Sequence, residues 1–287
     1  MPGLALALVL LSALLHAAWN FLVKRAGAAG APFTWLFTAT SAVLLAPVTL
    51  WLVAVNGTRV SGAGLLFLAG SAALHTAYFV LLQRGYRSGD LSLVYPLARG
   101  TGPLLATAVA IGLLGERPPP LALAGALLVA GGAFVLTGGP RLRRDASSRA
   151  AVRNGLMVGA LIGAYTVWDA NLVARLGMPP LVLEWALSAS IAGIVTPAVA
   201  RDPALLRAVW RDHRPSVLAG AVLSSASYVL FLTALTLAPV SRVAPAREIS
   251  IVLGAALGTR LLAEAHAVRR IGASGAIALG VVLLALA

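Results

Sequence analysis

Seven ionisable side chains lie inside long apolar stretches of this chain: His16, His75, Arg99, Asp169, Glu184, Arg247 and Glu248. A charge there costs on the order of 3 kcal/mol, so it persists where it pairs, lines a polar path or handles a proton or cargo. Spacing groups the seven further. His16 and Asn20 stand four residues apart and share a helix face, as do Tyr165 and Asp169. Tyr95 and Arg99 share another face. His75, with Tyr78 and Phe79, answers to Ser224, Ser225 and Tyr228 in the second half. Arg99, His16 and His75 suit an anionic group on a small polar metabolite. Asp169 and Glu248 suit an amine or a coupling proton. The competing reading of Arg99 and Glu248 is an ion pair that only holds helices together. Arg247 points to a different helix face from Glu248 and reads as a neutralising or snorkelling neighbour. Glu184 stands near a span entrance and reads as reaching water. Glu116 and Glu264 fall at span ends and read as structural. Two histidines without a third ligand make a poor metal site, so neither metal nor cofactor is expected.

The elements that carry these groups are apolar runs of membrane length. The 287 residues are 60% hydrophobic and 11% charged, against about a quarter charged in a soluble domain. About 20 apolar residues cross the hydrocarbon core. Ten runs meet that length: 3–23, 33–54, 63–83, 91–114, 120–139, 154–174, 180–200, 216–237, 241–262 and 268–286. Polar residues recur within them at helical and not strand spacing, which predicts helices. The first run has no basic segment before it and is followed by Lys24 and Arg25. That order predicts a retained helix and not a cleaved leader. Cysteine is absent, which excludes disulfide and thiol chemistry. The net charge of +13 does not point to nucleic acid, because the arginines sit in short links between apolar runs. Sixteen of the 22 Lys and Arg residues fall in or beside odd-numbered links and four in even-numbered ones. The positive-inside rule then predicts cytoplasmic odd links and both termini outside, in a multi-pass protein of the cytoplasmic membrane.

The second half repeats the first at an offset of 149 residues. Trp19-Asn20 lines up with Trp168-Asp169, and Leu91 to Arg99 with Val240 to Glu248. This places Arg99 opposite Glu248, and His16 opposite Tyr165. Residues 1–139 form one five-helix unit and 154–287 the other, with a basic cytoplasmic linker at 140–153. Five is odd, so the second copy enters from the other side, and the link charges reverse accordingly. The expected fold is an all-α integral membrane protein of ten transmembrane helices in two inverted five-helix repeats. Counting along the spans puts His16, His75 and Arg99 roughly 10–12 Å from the cytoplasmic ends. Asp169 and Glu248 lie nearer the outer ends. An inner basic and an outer acidic cluster would thus straddle the midplane. Pro96 and Pro245 near the starts of the fourth and ninth spans predict breaks, with Gly100, Gly102 and Pro103 weakening the fourth further. The fifth and tenth spans carry glycines and no charge. They read as packing helices or as a homodimer surface.

Zinc-protease, nucleophile-elbow and nucleotide-binding motifs are all absent from the sequence. Transport, if any, then runs on a gradient or by exchange. The stretch Gly89-Asp90-Leu91-Ser92-Leu93-Val94-Tyr95-Pro96-Leu97, with Leu113-Leu114-Gly115-Glu116-Arg117, resembles the first repeat of the EamA-type family of the drug/metabolite transporter superfamily. Ala238 to Glu264 resembles the second repeat. The resemblance implies a secondary transporter, an exporter or exchanger, moving a small metabolite by alternating access. It implies no enzyme activity and does not choose the cargo. Two alternatives are an intramembrane enzyme acting on a lipid-linked substrate and a non-transporting membrane scaffold.

Overall fold

The computed structural model describes residues 1–26, 30–55, 61–87, 91–136, 146–262 and 267–287. Tyr95, at the level of its side chain, and Glu264 lie outside the described residues. Among those described the secondary structure is helical, with no strand. The helices are α1 (Gly3–Ala26), α2 (Ala31–Ala54), α3 (Gly62–Arg87), α4 (Leu91–Leu114), α5 (Pro120–Leu136), α6 (Ala146–Ala174), α7 (Pro180–Val199), α8 (Pro203–Leu237), α9 (Val240–Ala246), α10 (Ile249–Leu262) and α11 (Ala267–Leu286). Segments in seven of them are long and apolar enough to cross a membrane, and 120–136 and 271–286 are shorter apolar helices. Large aliphatic side chains stand exposed on the outside, among them Val43, Leu66, Leu113 and Ile271, each at least 70% exposed. An aqueous surface disfavours such a girdle and lipid favours it.

Local chemistry sets the helix ends. Proline occupies the first turn of α2, α7 and α8, where its missing N–H has no intrahelical partner to lose. Asp202 caps α8 by accepting from the Leu205 N–H at 2.9 Å. Gly115 (φ 71°) ends α4, and Gly177 (φ 66°) follows α6. At each the next residue reaches back six positions, Glu116 N to Ala110 O at 3.1 Å and Met178 N to Leu172 O at 3.0 Å. Only glycine adopts this left-handed turn without a Cβ penalty.

Three features differ from the sequence expectation. The ninth span is two helices, interrupted at Arg247-Glu248. Pro245 cannot donate to the residue four before it. From Glu248 to Ile251 the bonds instead run to the third residue back, Glu248 N to Pro245 O, Ser250 N to Arg247 O and Ile251 N to Glu248 O. This tight winding turns the faces of neighbouring residues. The fourth span, by contrast, is continuous from Leu91 to Leu114 despite Pro96 and Pro103. Its glycines serve packing: a Cβ on Gly102 would come 2.7 Å from the Ile162 side chain of α6. Finally, α8 begins at Pro203 and not at 216, and its first turns carry the exposed Arg207, Arg211 and Asp212. At 35 residues it is about 52 Å long, well beyond a bilayer core. Residues 146–153 of the expected linker are likewise the first turns of α6.

Several helix contacts are compatible with two related five-helix units. α1 packs on α8 as α6 packs on α3, and α2 meets its counterpart α7. α4 lies on α6 as α9 and α10 lie on α1. α5 meets its counterpart α11, and there a Cβ on Gly125 would fall 2.7 Å from Gly280 O, and one on Gly280 2.6 Å from Gly125 O. Gly125, Gly132 and Gly280 thus let α5 and α11 approach closely. Ser12 of α1 and Ser227 of α8 exchange hydroxyl-to-carbonyl bonds at 2.7 and 2.8 Å, which satisfies two buried polar groups at once.

Candidate functional site

Trp168 fixes the register of α6 against α3. Its indole stacks on Phe67 at 4.5 Å, and its Nε1 donates to Phe67 O at 2.7 Å. With Trp168 held there, Asp169 faces the seam between α3 and α8. Asp169 has no solvent exposure. Ser71 donates to its Oδ1. At its Oδ2 it meets Tyr228 Oη at 2.5 Å and His75 Nε2 at 2.9 Å. The His75 ring stacks on Tyr165 at 4.2 Å, and Tyr228 stands edge-on to it. A buried carboxylate persists only when its lone pairs are filled, and three partners from two helices fill these.

A second group forms where the ninth span is interrupted. Arg99 of α4 reaches Glu248, Nε to Oε2, at 3.2 Å, and its Nη2 donates to Ser250 Oγ at 3.0 Å. Both side chains of the pair are largely buried. Arg247, turned aside by the tight winding, lays its guanidinium 4.2 Å from the Phe231 ring centroid and 5.5 Å from that of Tyr228. Its Nε has no hydrogen-bond partner among the described residues. Arg247 also lies within electrostatic reach of His16, Tyr165 and Glu184. Arg99 acts on His16 and Tyr165 as well, so the two guanidiniums together form the positive part of this interior.

Glu184 of α7 accepts at Oε1 from Ser188 Oγ at 3.1 Å and Ser225 Oγ at 2.8 Å. At one end of the bundle, Glu116 accepts from the Val240 and Ser241 N–H groups at 2.8 and 2.9 Å, so it caps α9. A carboxylate at a helix start complements the exposed amides there. Beside it a cavity of about 310 Å³ is lined by Glu116, Asn171, Arg175 and Thr236, among others.

Helices of membrane length, lipid-facing aliphatics and this enclosed polar seam describe a membrane protein with chemistry in its interior. The family model that matches residues 3–138 is the EamA-like transporter family. Over that first half, this is an EamA-like transporter sequence. The match bears out the resemblance carried by Leu91 to Leu97 and by Glu116, and together with the apolar helices it supports a multi-pass membrane protein. No curated protein matches the sequence closely enough to name a relative. Twenty-nine chains of solved structures match. One of them, described only as "Crystal structure of protein", aligns with a TM-score of 0.78 at 18% identity, covering 100% of this chain and 98% of that one. At that identity the likeness concerns the fold alone.

The seam joins His75, Tyr165, Asp169 and Tyr228, and the pair Arg99 and Glu248. Ser225 is bonded to Glu184 and not to Asp169. His16 accepts from Trp19 Nε1 at 3.4 Å. Asn20 is exposed and donates to His16 O, so it stands apart from the seam. The expected separation into an inner basic and an outer acidic cluster is not observed. His75 touches Asp169, and Arg99 touches Glu248. Depth counted along each span assumes upright helices with flush ends, yet α3 runs on to Arg87 and α6 starts at Ala146. Glu184 does not reach water as expected; it is 8% exposed, between α7 and α8. Sequence reading passed over Ser71 and undervalued Arg247. The signal for Arg247 was there, a charge inside a span, but helical wheel geometry assigned it the wrong face. Nothing distinguishes Ser71 from other membrane-helix serines.

Proposed function

We propose that this chain is a secondary transporter of a small polar metabolite in the cytoplasmic membrane, with ten crossing segments in two inverted five-helix units. The family match supports transport, and the mutual packing of the halves supports alternating access between them. The observation that carries the reading is the Arg99–Glu248 pair beside Arg247. Equivalent residues of the two halves meet there, next to a cation whose Nε is unpartnered among the described residues. An anionic group on the cargo binds Arg247, and competes with Glu248 for Arg99. Loosening that pair frees the two halves to rock about the seam, so occupancy and movement are linked. His16 and Tyr165 line the same space from the paired first and sixth helices.

Uptake and counterflow in proteoliposomes test this, with a pool of amino acids, phosphonates and sugar phosphates, with and without a pH gradient. Saturable flux that Arg99→Ala abolishes, in a variant that still folds, supports the reading. Folded wild-type protein that moves none of the pool overturns it. Product formation from a lipid-linked substrate in detergent would then identify an intramembrane enzyme.

A further inference from the structure

Among the described residues three carboxylates lie buried in the helical core, and their partners differ in kind. Glu248 faces the Arg99 guanidinium, which only donates and carries a fixed charge. Asp169 is closed off by Ser71, His75 and Tyr228. Glu184 has no cation within 4.0 Å among the described residues, and its partners are two serine hydroxyls. Both hydroxyls bond the same oxygen, Oε1, at 3.1 and 2.8 Å. Oε2 meets no donor among the described residues. A serine hydroxyl donates to a carboxylate and can equally turn to accept from a carboxylic acid. This cradle therefore holds either protonation state without rearranging a helix, and Oε2 is the atom left for the proton.

We propose that Glu184 binds the coupling proton, taking it up at Oε2 from water on one side of the membrane and releasing it to the other. Ser188 holds the carboxyl from its own helix and Ser225 from α8, so movement of α7 against α8 changes the cradle. Of the helices packed on α7, α3 carries His75 and Tyr78, α8 carries Tyr228 one turn from Ser225, and α2 carries no titratable residue. Arg247 at the interrupted span and Asp169 of α6 are the charges that act on it. Arg247 links the proton to the cargo, because the same guanidinium senses the charge on Glu184 and meets the cargo's anionic group. The inference rests on the transport reading for its purpose, and on the Glu184 cradle for its chemistry.

The test has two arms on the purified full-length chain. In proteoliposomes, accumulation driven by a pH gradient is divided by counterflow of the same cargo. Glu184→Gln is expected to lower that ratio at least tenfold, and Ser225→Ala to shift its pH profile. An unchanged ratio in Glu184→Gln overturns the proposal while leaving transport itself intact. In detergent, infrared difference spectra between about pH 5 and about pH 9 are expected to show a protonated-carboxyl band that Glu184→Gln removes, within the range buried carboxyls reach. Absence of that band overturns the proposal even if no cargo is found. Presence of the band with no wild-type flux overturns the transport reading and keeps the proton site.

Discussion

Arg99 and Glu248 stand 149 residues apart at equivalent positions of the two halves, and their side chains pair with each other at 3.2 Å. A residue that touches its own repeat counterpart lies where the two halves face one another. Opposite charges at such a place attract, whereas two copies of either residue would repel. The opposite charges of Arg99 and Glu248 are thus what makes the contact attractive.

Exchange of the two charges is the direct check. Arg99→Glu or Glu248→Arg alone leaves two like charges buried together, and breaking a buried pair costs about 3–5 kcal/mol. The double variant restores the pair in mirrored order. Thermal unfolding in detergent should show each single variant strongly destabilised and the double variant recovering most of the loss. A double variant no better than the singles would refute the pairing of equivalent positions.

Asp169→Ala should be the most damaging substitution in the seam. It strands the buried Ser71 hydroxyl and leaves His75 and Tyr228 only each other at 3.2 Å, at about 1–3 kcal/mol for each buried group left unsatisfied. Tyr228→Phe removes one partner and leaves two, so its cost should be nearer 1 kcal/mol. Folded yield and midpoint temperature should fall in that order.

Arg247→Lys and Arg247→Gln separate charge from shape. Lys keeps a cation but loses the planar face set over Phe231 and Tyr228. The half-saturating cargo concentration in counterflow should rise modestly for Lys and at least about tenfold for Gln, which is about 1.4 kcal/mol of cargo binding. Equal affinities across the three proteins would remove Arg247 from the binding site.

Glycine substitutions should discriminate between faces of one helix. Gly125→Val drives side-chain atoms into the Gly280 backbone, and Gly280→Val does the reverse. A Cβ on Gly131 meets nothing within 4 Å. Monodisperse elution should be lost in the first two variants and kept in Gly131→Ala.

Much of the architecture was legible in the sequence because membrane insertion acts on local properties. Run length and hydropathy set the helices, and the 149-residue offset related Arg99 to Glu248, which pair in the structure. Glycine spacing on the fifth and last spans marked close packing, and Glu116 at a span end marked a structural role that its capping of α9 bears out. Tertiary structure alone decided who meets whom. The depth of a side chain depends on tilt and on where each helix starts, so His75 meets Asp169 although counting kept them apart. Whether a proline interrupts a helix depends on the packing around it. Pro96 leaves α4 continuous, while the turn after Pro245 swings Arg247 onto Phe231 and into the centre. Glu184 looked like a residue at the water's edge, and only the approach of α8 with Ser225 encloses it.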